Sequence, residues 1–141
     1  MKRMLTILAS LIICISCSSE PEKVVETTYD DGDPKLVRFY EQKNDGKVLV
    51  KEMTYYPNDN IRYVGGYKDQ MRHGHWIYYY RNGNKWSEGF FLNGERNGDA
   101  KTWHENGQLY IQGEYTDGVR TGTWQFWDEQ GELIKEINYN E

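Results

Sequence analysis

The sequence predicts an all-β chain made of stacked antiparallel hairpins, and three observations predict it. Similar residues recur at a spacing of 24 in several registers at once: Tyr55, Tyr79, Trp103 and Trp127; Gly65, Gly89 and Gly113; Tyr67, Phe91, Tyr115 and Tyr139; Arg72, Arg96 and Arg120; Gly74, Gly98 and Gly122. Turn dipeptides such as Asn82-Gly83 and Asn106-Gly107 separate runs rich in aromatic and β-branched residues, a hairpin signature. Glycines fall every few residues from Gly65 to Gly131, and each would cost about 1 kcal/mol inside a helix.

From the N-terminus, residues 1–17 read as an export signal, set aside from fold reasoning. Lys2 and Arg3 precede an apolar run from Met4 to Ser16, shorter than the roughly 20 residues a helix needs to cross a bilayer. Residues 18–34 are acidic and turn-rich, with Pro21 and the run Asp30-Asp31-Gly32-Asp33-Pro34, so a flexible tether is expected. Residues 35–56 read as a capping hairpin, Leu36 to Gln42 and Lys47 to Tyr56 around Asn44-Asp45-Gly46. This hairpin is out of phase with the 24-residue units, as end units of repeat arrays tend to be. Residues 55–141 form the repeat domain. In each unit an aromatic strand such as Trp76 to Tyr80 leads through a tight Asn-Gly turn to a second strand such as Leu109 to Tyr115. A glycine-punctuated connection such as Asn93 to Gly98 then returns the chain.

The run Gly113-Glu114-Tyr115-Thr116-Asp117-Gly118-Val119-Arg120-Thr121-Gly122-Thr123-Trp124 resembles a MORN repeat in its bacterial variant, and Gly89 to Ala100 and Gly65 to Trp76 are similar. The middle copy has Ala100 in place of the final Trp, and the first has Gln70 in place of a turn glycine. The resemblance covers Tyr55 to about Tyr139. It implies an elongated, curved antiparallel meander that serves as a binding or scaffolding surface. Members of that variant family are often labelled antitoxin components of toxin–antitoxin pairs, which implies a toxin as partner.

Cys14-Ile15-Ser16-Cys17 resembles the lipobox of bacterial lipoproteins, with small Ser16 before Cys17 as the residue to be acylated; Cys14 stands where that family usually has Leu. This resemblance implies a lipid anchor at the cell envelope. Ser18 after Cys17 resembles lipoproteins sent on to an outer membrane, and Glu20 with Glu22 resembles surface-export tethers. Two or more acyl chains, each methylene contributing about 0.8 kcal/mol, hold a protein stably.

Composition excludes several functions. Both cysteines lie at or before Cys17, so the remainder can carry no disulfide or thiolate site. Without Lys2 and Arg3 the net charge of −5 becomes −7, which disfavours nucleic acid as a partner. His73 and His75 flank Gly74, but His104 is the only other histidine, and a metal site needs three or four ligands. Glu88 with Glu114, or Asp117 with Asp128, could be imagined as a glycosidase pair, yet nothing sets them apart from solvated strand and turn residues. No nucleophile motif or nucleotide-binding fingerprint is present. The expectation is a protein without catalytic residues, cofactor or metal, binding another protein; the alternative is a glycan-binding lipoprotein using exposed aromatic rings. Phased aromatics should form the structural ladder. Trp86 and Tyr110, which replace Arg62 and Ile134 of other copies, are the candidates for ligand contact.

Overall fold

The computed structural model describes residues 20–140; the expected signal segment and Cys17 lie outside them. Ten strands succeed one another: β1 (Glu22–Thr28), β2 (Pro34–Lys43), β3 (Gly46–Tyr55), β4 (Ile61–Lys68), β5 (Met71–Tyr79), β6 (Lys85–Leu92), β7 (Glu95–Trp103), β8 (Leu109–Thr116), β9 (Val119–Trp127) and β10 (Leu133–Asn138). Each pairs with the next in a single open sheet ordered β1 to β10. The all-β meander expected from the sequence is the observed fold.

Two kinds of turn alternate, and their assignment differs from the sequence reading. The two-residue turns are the returns Asp69-Gln70, Asn93-Gly94 and Asp117-Gly118, where both residues have positive φ, for example 50° at Asn93 and 92° at Gly94. That is the primed geometry whose twist suits a hairpin. At Asn82-Gly83, expected to be such a turn, only Gly83 has positive φ. The loop there runs from Tyr80 to Asn84, closed by Tyr80 N–H donating to the Asn84 carbonyl at 2.8 Å and by Gly83 N–H donating to the Tyr80 carbonyl at 3.0 Å. The Asn82 side chain accepts from Asn84 N–H at 2.8 Å, so it acts as a local backbone mimic. The connection expected at Asn93 to Gly98 is also mostly strand. Gly98, with φ 95°, bends β7 from within, as a bulge does.

The hairpin expected over residues 35–56 is present as β2 and β3, but the expected tether is corrected. Glu22–Thr28 is a strand paired to β2, not a free segment. Its charged, largely exposed residues suit a sheet edge, where charge discourages further pairing. Tyr29 to Asp33 forms the same five-residue loop, with Tyr29 N–H donating to the Asp33 carbonyl at 2.8 Å. The unit it opens is out of phase because β2 and β3 have ten residues each, against eight and nine in β4 and β5.

The five-residue loops are bonded to one another along one edge. Tyr56 Oη donates to the Tyr79 carbonyl at 2.9 Å, Tyr80 Oη to the Trp103 carbonyl at 2.8 Å, and His104 Nε2–H to the Trp127 carbonyl at 2.9 Å. Asn60, Asn84 and Asn106 side-chain amides add bonds to the carbonyls of Arg81, Glu105 and Glu129. Carbonyls at the strand ends are thereby satisfied by the next unit, each bond contributing about 1 kcal/mol net.

Most of the buried residues lie on one face; Val37, also fully buried, lies in the Met53, Val64 and Ile77 row of the other. Trp76 is fully buried and Trp124 is 3% exposed. Each indole lies flat on a glycine of the preceding strand: a Cβ on Gly65 would stand 2.0 Å from Trp76 Cδ2, and one on Gly113 would stand 2.2 Å from Trp124 Cδ2. The indole N–H donates to a main-chain carbonyl, of Gly66 at 3.0 Å for Trp76 and of Glu114 at 3.3 Å for Trp124. Gly89 occupies the same place but has no ring over it, because its partner is Ala100. Gly65→Ala and Gly113→Ala should therefore each destabilise the fold by about 1–3 kcal/mol. Gly89→Ala should cost clearly less, since its Cβ would meet the movable Arg96 Nη1 at 3.2 Å. Urea denaturation of the three variants measures the difference.

Candidate functional site

Residues directly opposite in an antiparallel sheet share a face, so the pairing register gives the rows of the tryptophan face. One row reads Tyr63, Tyr78, Ser87, Thr102, Ile111 and Phe126 across β4 to β9. A second reads Gly65, Trp76, Gly89, Ala100 and Gly113. In both, the middle unit has small residues where its neighbours carry large ones. Ser87 stands for Tyr63 and Ile111, Ala100 for Trp76 and Trp124, and Thr102 for Tyr78 and Phe126.

The result is a notch in the ring ladder. Two adjoining hollows share Ser87, Arg96 and Thr102. One, of about 240 Å³, is walled by Tyr78 and Trp86. The other, of about 100 Å³, is walled by Ile111, Tyr115 and Trp124, with Ala100 as floor and Arg120 at its rim. The Ser87 hydroxyl is turned down onto the Lys101 carbonyl at 3.2 Å, which leaves the floor mostly apolar. Hollows near the five-residue loops are of another kind. One is lined by Asn60, Ile61, Tyr79 and Gly83, the other by Asn84, Lys85, Trp103 and Gly107. These sets are 24 apart, so those hollows come with the stacking of units. The notch belongs to the middle unit alone.

An arginine row crosses the same face. The Arg72 guanidinium lies 4.5 Å from the Trp76 ring centre and that of Arg120 lies 4.4 Å from Trp124. Arg96, lacking a tryptophan, leans over Gly89 between the Phe91 and Tyr115 rings, at 5.4 and 5.3 Å. Ring faces attract such cations. None of the three makes an ion pair with another described residue, whereas Arg38, Lys47 and Lys85 each meet a carboxylate. Glu52, buried on this face, is already committed to Arg38 Nε at 2.9 Å and to the Tyr63 hydroxyl at 2.7 Å.

Of the two ring residues singled out from the sequence, Trp86 stands at the notch wall, 46% exposed, beside Tyr78 and Tyr80. Tyr110 is not brought there; it packs on the His104 ring at 4.5 Å. His73 and His75 are separated in environment. His75 stacks on Phe90 at 4.8 Å and faces Glu88 at 3.3 Å, while His73 is half-buried opposite Gly66. Among the described residues no group of three or more His, Cys, Asp or Glu is gathered as a metal would require. No helix among them is long and apolar enough to cross a membrane. Glu88 is held by Lys85 at 2.8 Å, and Glu114 faces Asp99 across β7 and β8. Ser87 and Thr102 were not singled out from the sequence. Their signal was weak, because the registers Tyr63, Ser87 and Ile111 and Tyr78, Thr102 and Phe126 hold no uniform residue.

Segments 72–93, 96–117 and 120–141 match the family described as the MORN repeat variant. The repeats are of that kind. Each matched segment begins on an arginine of the row, Arg72, Arg96 or Arg120. The unit that begins near Tyr55, similar in sequence, lies before the matched residues. Among curated proteins, none matches the chain. MORN repeats point to a module for binding or scaffolding.

Burial pushes the hydroxyls of Tyr63 and Tyr78 on this face above the ordinary tyrosine range, and the bond to Glu52 adds to the effect at Tyr63. Both stay protonated in the folded chain where the unfolded chain begins to ionise, near pH 10. Their contribution to stability is thus whole below that pH and lost as pH rises through and beyond it. Urea midpoints should fall between pH 9 and pH 11, and the fall should be shallower in Tyr78→Phe.

Proposed function

We propose that this protein is a non-catalytic interaction module, held at a bacterial envelope by a lipid on Cys17, whose tryptophan face receives another protein. The observation that carries the reading is the arginine row without carboxylates beside a gap in the ring ladder. Ring packing sets where the arginines lie, but it explains neither their lack of a carboxylate partner nor the gap. A closed ladder would bury more ring surface, and exposed cations left without counter-charge on a face rich in rings are a common feature of protein contact surfaces. The lipobox-like Cys14 to Cys17 supplies the anchor, and Ser18 favours an outer-membrane destination.

The antitoxin label of the resembling family fits this reading only for a toxin that acts in, or arrives through, the envelope. A glycan reading has one observation in its favour, the exposed Trp86 ring at the notch wall. The arginine row favours protein, since a neutral sugar leaves those charges unused.

The full chain, expressed in a bacterium with a C-terminal tag and crosslinked in intact cells, tests both parts. It is expected to fractionate with membranes and to retain one defined envelope protein, with Cys17→Ala releasing it from the membrane fraction. A wild-type chain found in the soluble fraction would remove the anchor. Retention of no specific protein by the folded bait would remove the interaction role.

A further inference from the structure

We infer that the notch and the arginine row together form a binding site for an extended acidic segment of a protein partner, with one bulky ring of that segment seated in the notch. The inference rests on the interaction reading above and specifies its ligand.

Size sets the first constraint. Taken singly, hollows of about 240 and 100 Å³ fall below the roughly 300–1,000 Å³ of small-molecule sites, and joined they reach only the lower end of that range. They suit a single ring-bearing side chain. The floor of Ala100 and Thr102 with ring walls matches what such a side chain replaces, namely the tryptophan and tyrosine that the neighbouring units supply themselves. The partner's ring completes the ladder.

Charge sets the second. Arg72, Arg96 and Arg120 sit one per unit, and a unit is two strands wide, so successive guanidiniums are about 10 Å apart at a strand spacing of about 4.8 Å. A chain in the extended polyproline II form advances about 3.1 Å per residue and, at three residues per turn, returns every third side chain to the same side. A segment crossing the strands with a carboxylate at every third residue therefore meets each arginine in turn. The remainder of the chain is acidic, with an overall net charge of −5. A broad anionic membrane would be repelled by it, whereas a narrow segment confined to the row lies within about 8 Å of the arginines and is screened from much of the rest.

The test uses the full chain with Cys17→Ala and a fluorescein-labelled peptide that carries Glu at every third position and one Trp between the first two. Fluorescence anisotropy should show saturable binding. Replacing the Trp by Ala, or the three Glu by Gln, should weaken it roughly ten-fold or more. Arg96→Ala should weaken it by a similar factor. Ala100→Trp restores the ring its sister units carry, with Gly89 beneath and Arg96 free to move over it as Arg72 and Arg120 do; it should abolish binding while raising Tm. Equal peptide affinity for wild type and Ala100→Trp overturns the inference, as does an absence of peptide binding by the wild type. Sedimentation with phosphatidylserine vesicles that is lost in Ala100→Trp would also overturn it, in favour of a lipid. If the peptide fails but the crosslinked envelope partner persists, the notch assignment falls and the interaction reading stands. If both fail, the interaction reading falls with it.

Discussion

Two of the units are organised around an indole lying on a glycine. A strand residue without a side chain leaves a shallow seat on the sheet, and the tryptophan of the next strand fills it at a distance no Cβ would allow. The indole thereby buries its surface against backbone and not against a second layer, which matters because a lone sheet has no second layer to offer. Burying a ring of this size contributes roughly 1.5–3 kcal/mol, and the indole N–H is satisfied by a carbonyl on the neighbouring strand, so no polar cost remains. Arginine then roofs the ring from the solvent side. Glycine, tryptophan and arginine at fixed offsets form one physical unit.

The edge bonds solve a different problem. A hairpin alone is marginal in water, and stacking must fix one unit against the next without helices or disulfides among the described residues. The donors at Tyr29, Tyr56, Tyr80 and His104 each reach the closing carbonyl of the following unit. Phenol and imidazole are interchangeable here because the task is only to present one donor at the right reach. Asp69-Gln70 shows the tolerance of the array in the other direction. Gln70 holds a φ of 64° where its counterparts are glycine, a strain of about 1–2 kcal/mol that the surrounding pairing sustains.

Much of this was legible in the sequence, and the reason is the period. Hairpin units, their number and the phased aromatics could be read because one residue in each register repeats. The turn assignment could not, since Asn-Gly and Asp-Gly dipeptides occur in both kinds of loop and only the hydrogen-bond pattern separates them. Strand β1 was hidden because an edge strand buries little: Glu22–Thr28 carries charges and shows no strong alternation. The site was half visible. Ala100 stood out as a break between Trp76 and Trp124, but Ser87 and Thr102 belong to registers without a uniform residue, and only pairing places all three side by side. Trp86, chosen as an irregular ring, borders them; Tyr110, chosen on the same ground, serves His104 instead.

Middle units of a repeat array have neighbours on both sides, so they can lose packing that terminal units need. That makes the middle unit the place where a ladder can be opened for a ligand at least cost, and Arg96 leaning into the vacant seat keeps the opening from collapsing. The account as a whole depends on the ring-on-glycine contact, and a double-mutant cycle between Gly65 and Trp76 measures it most directly. If the contact is as described, Gly65→Ala is costly in the wild type and nearly neutral once Trp76 is Ala, giving an interaction energy of about 1–3 kcal/mol. Additive losses, with Gly65→Ala equally costly in both backgrounds, would contradict it.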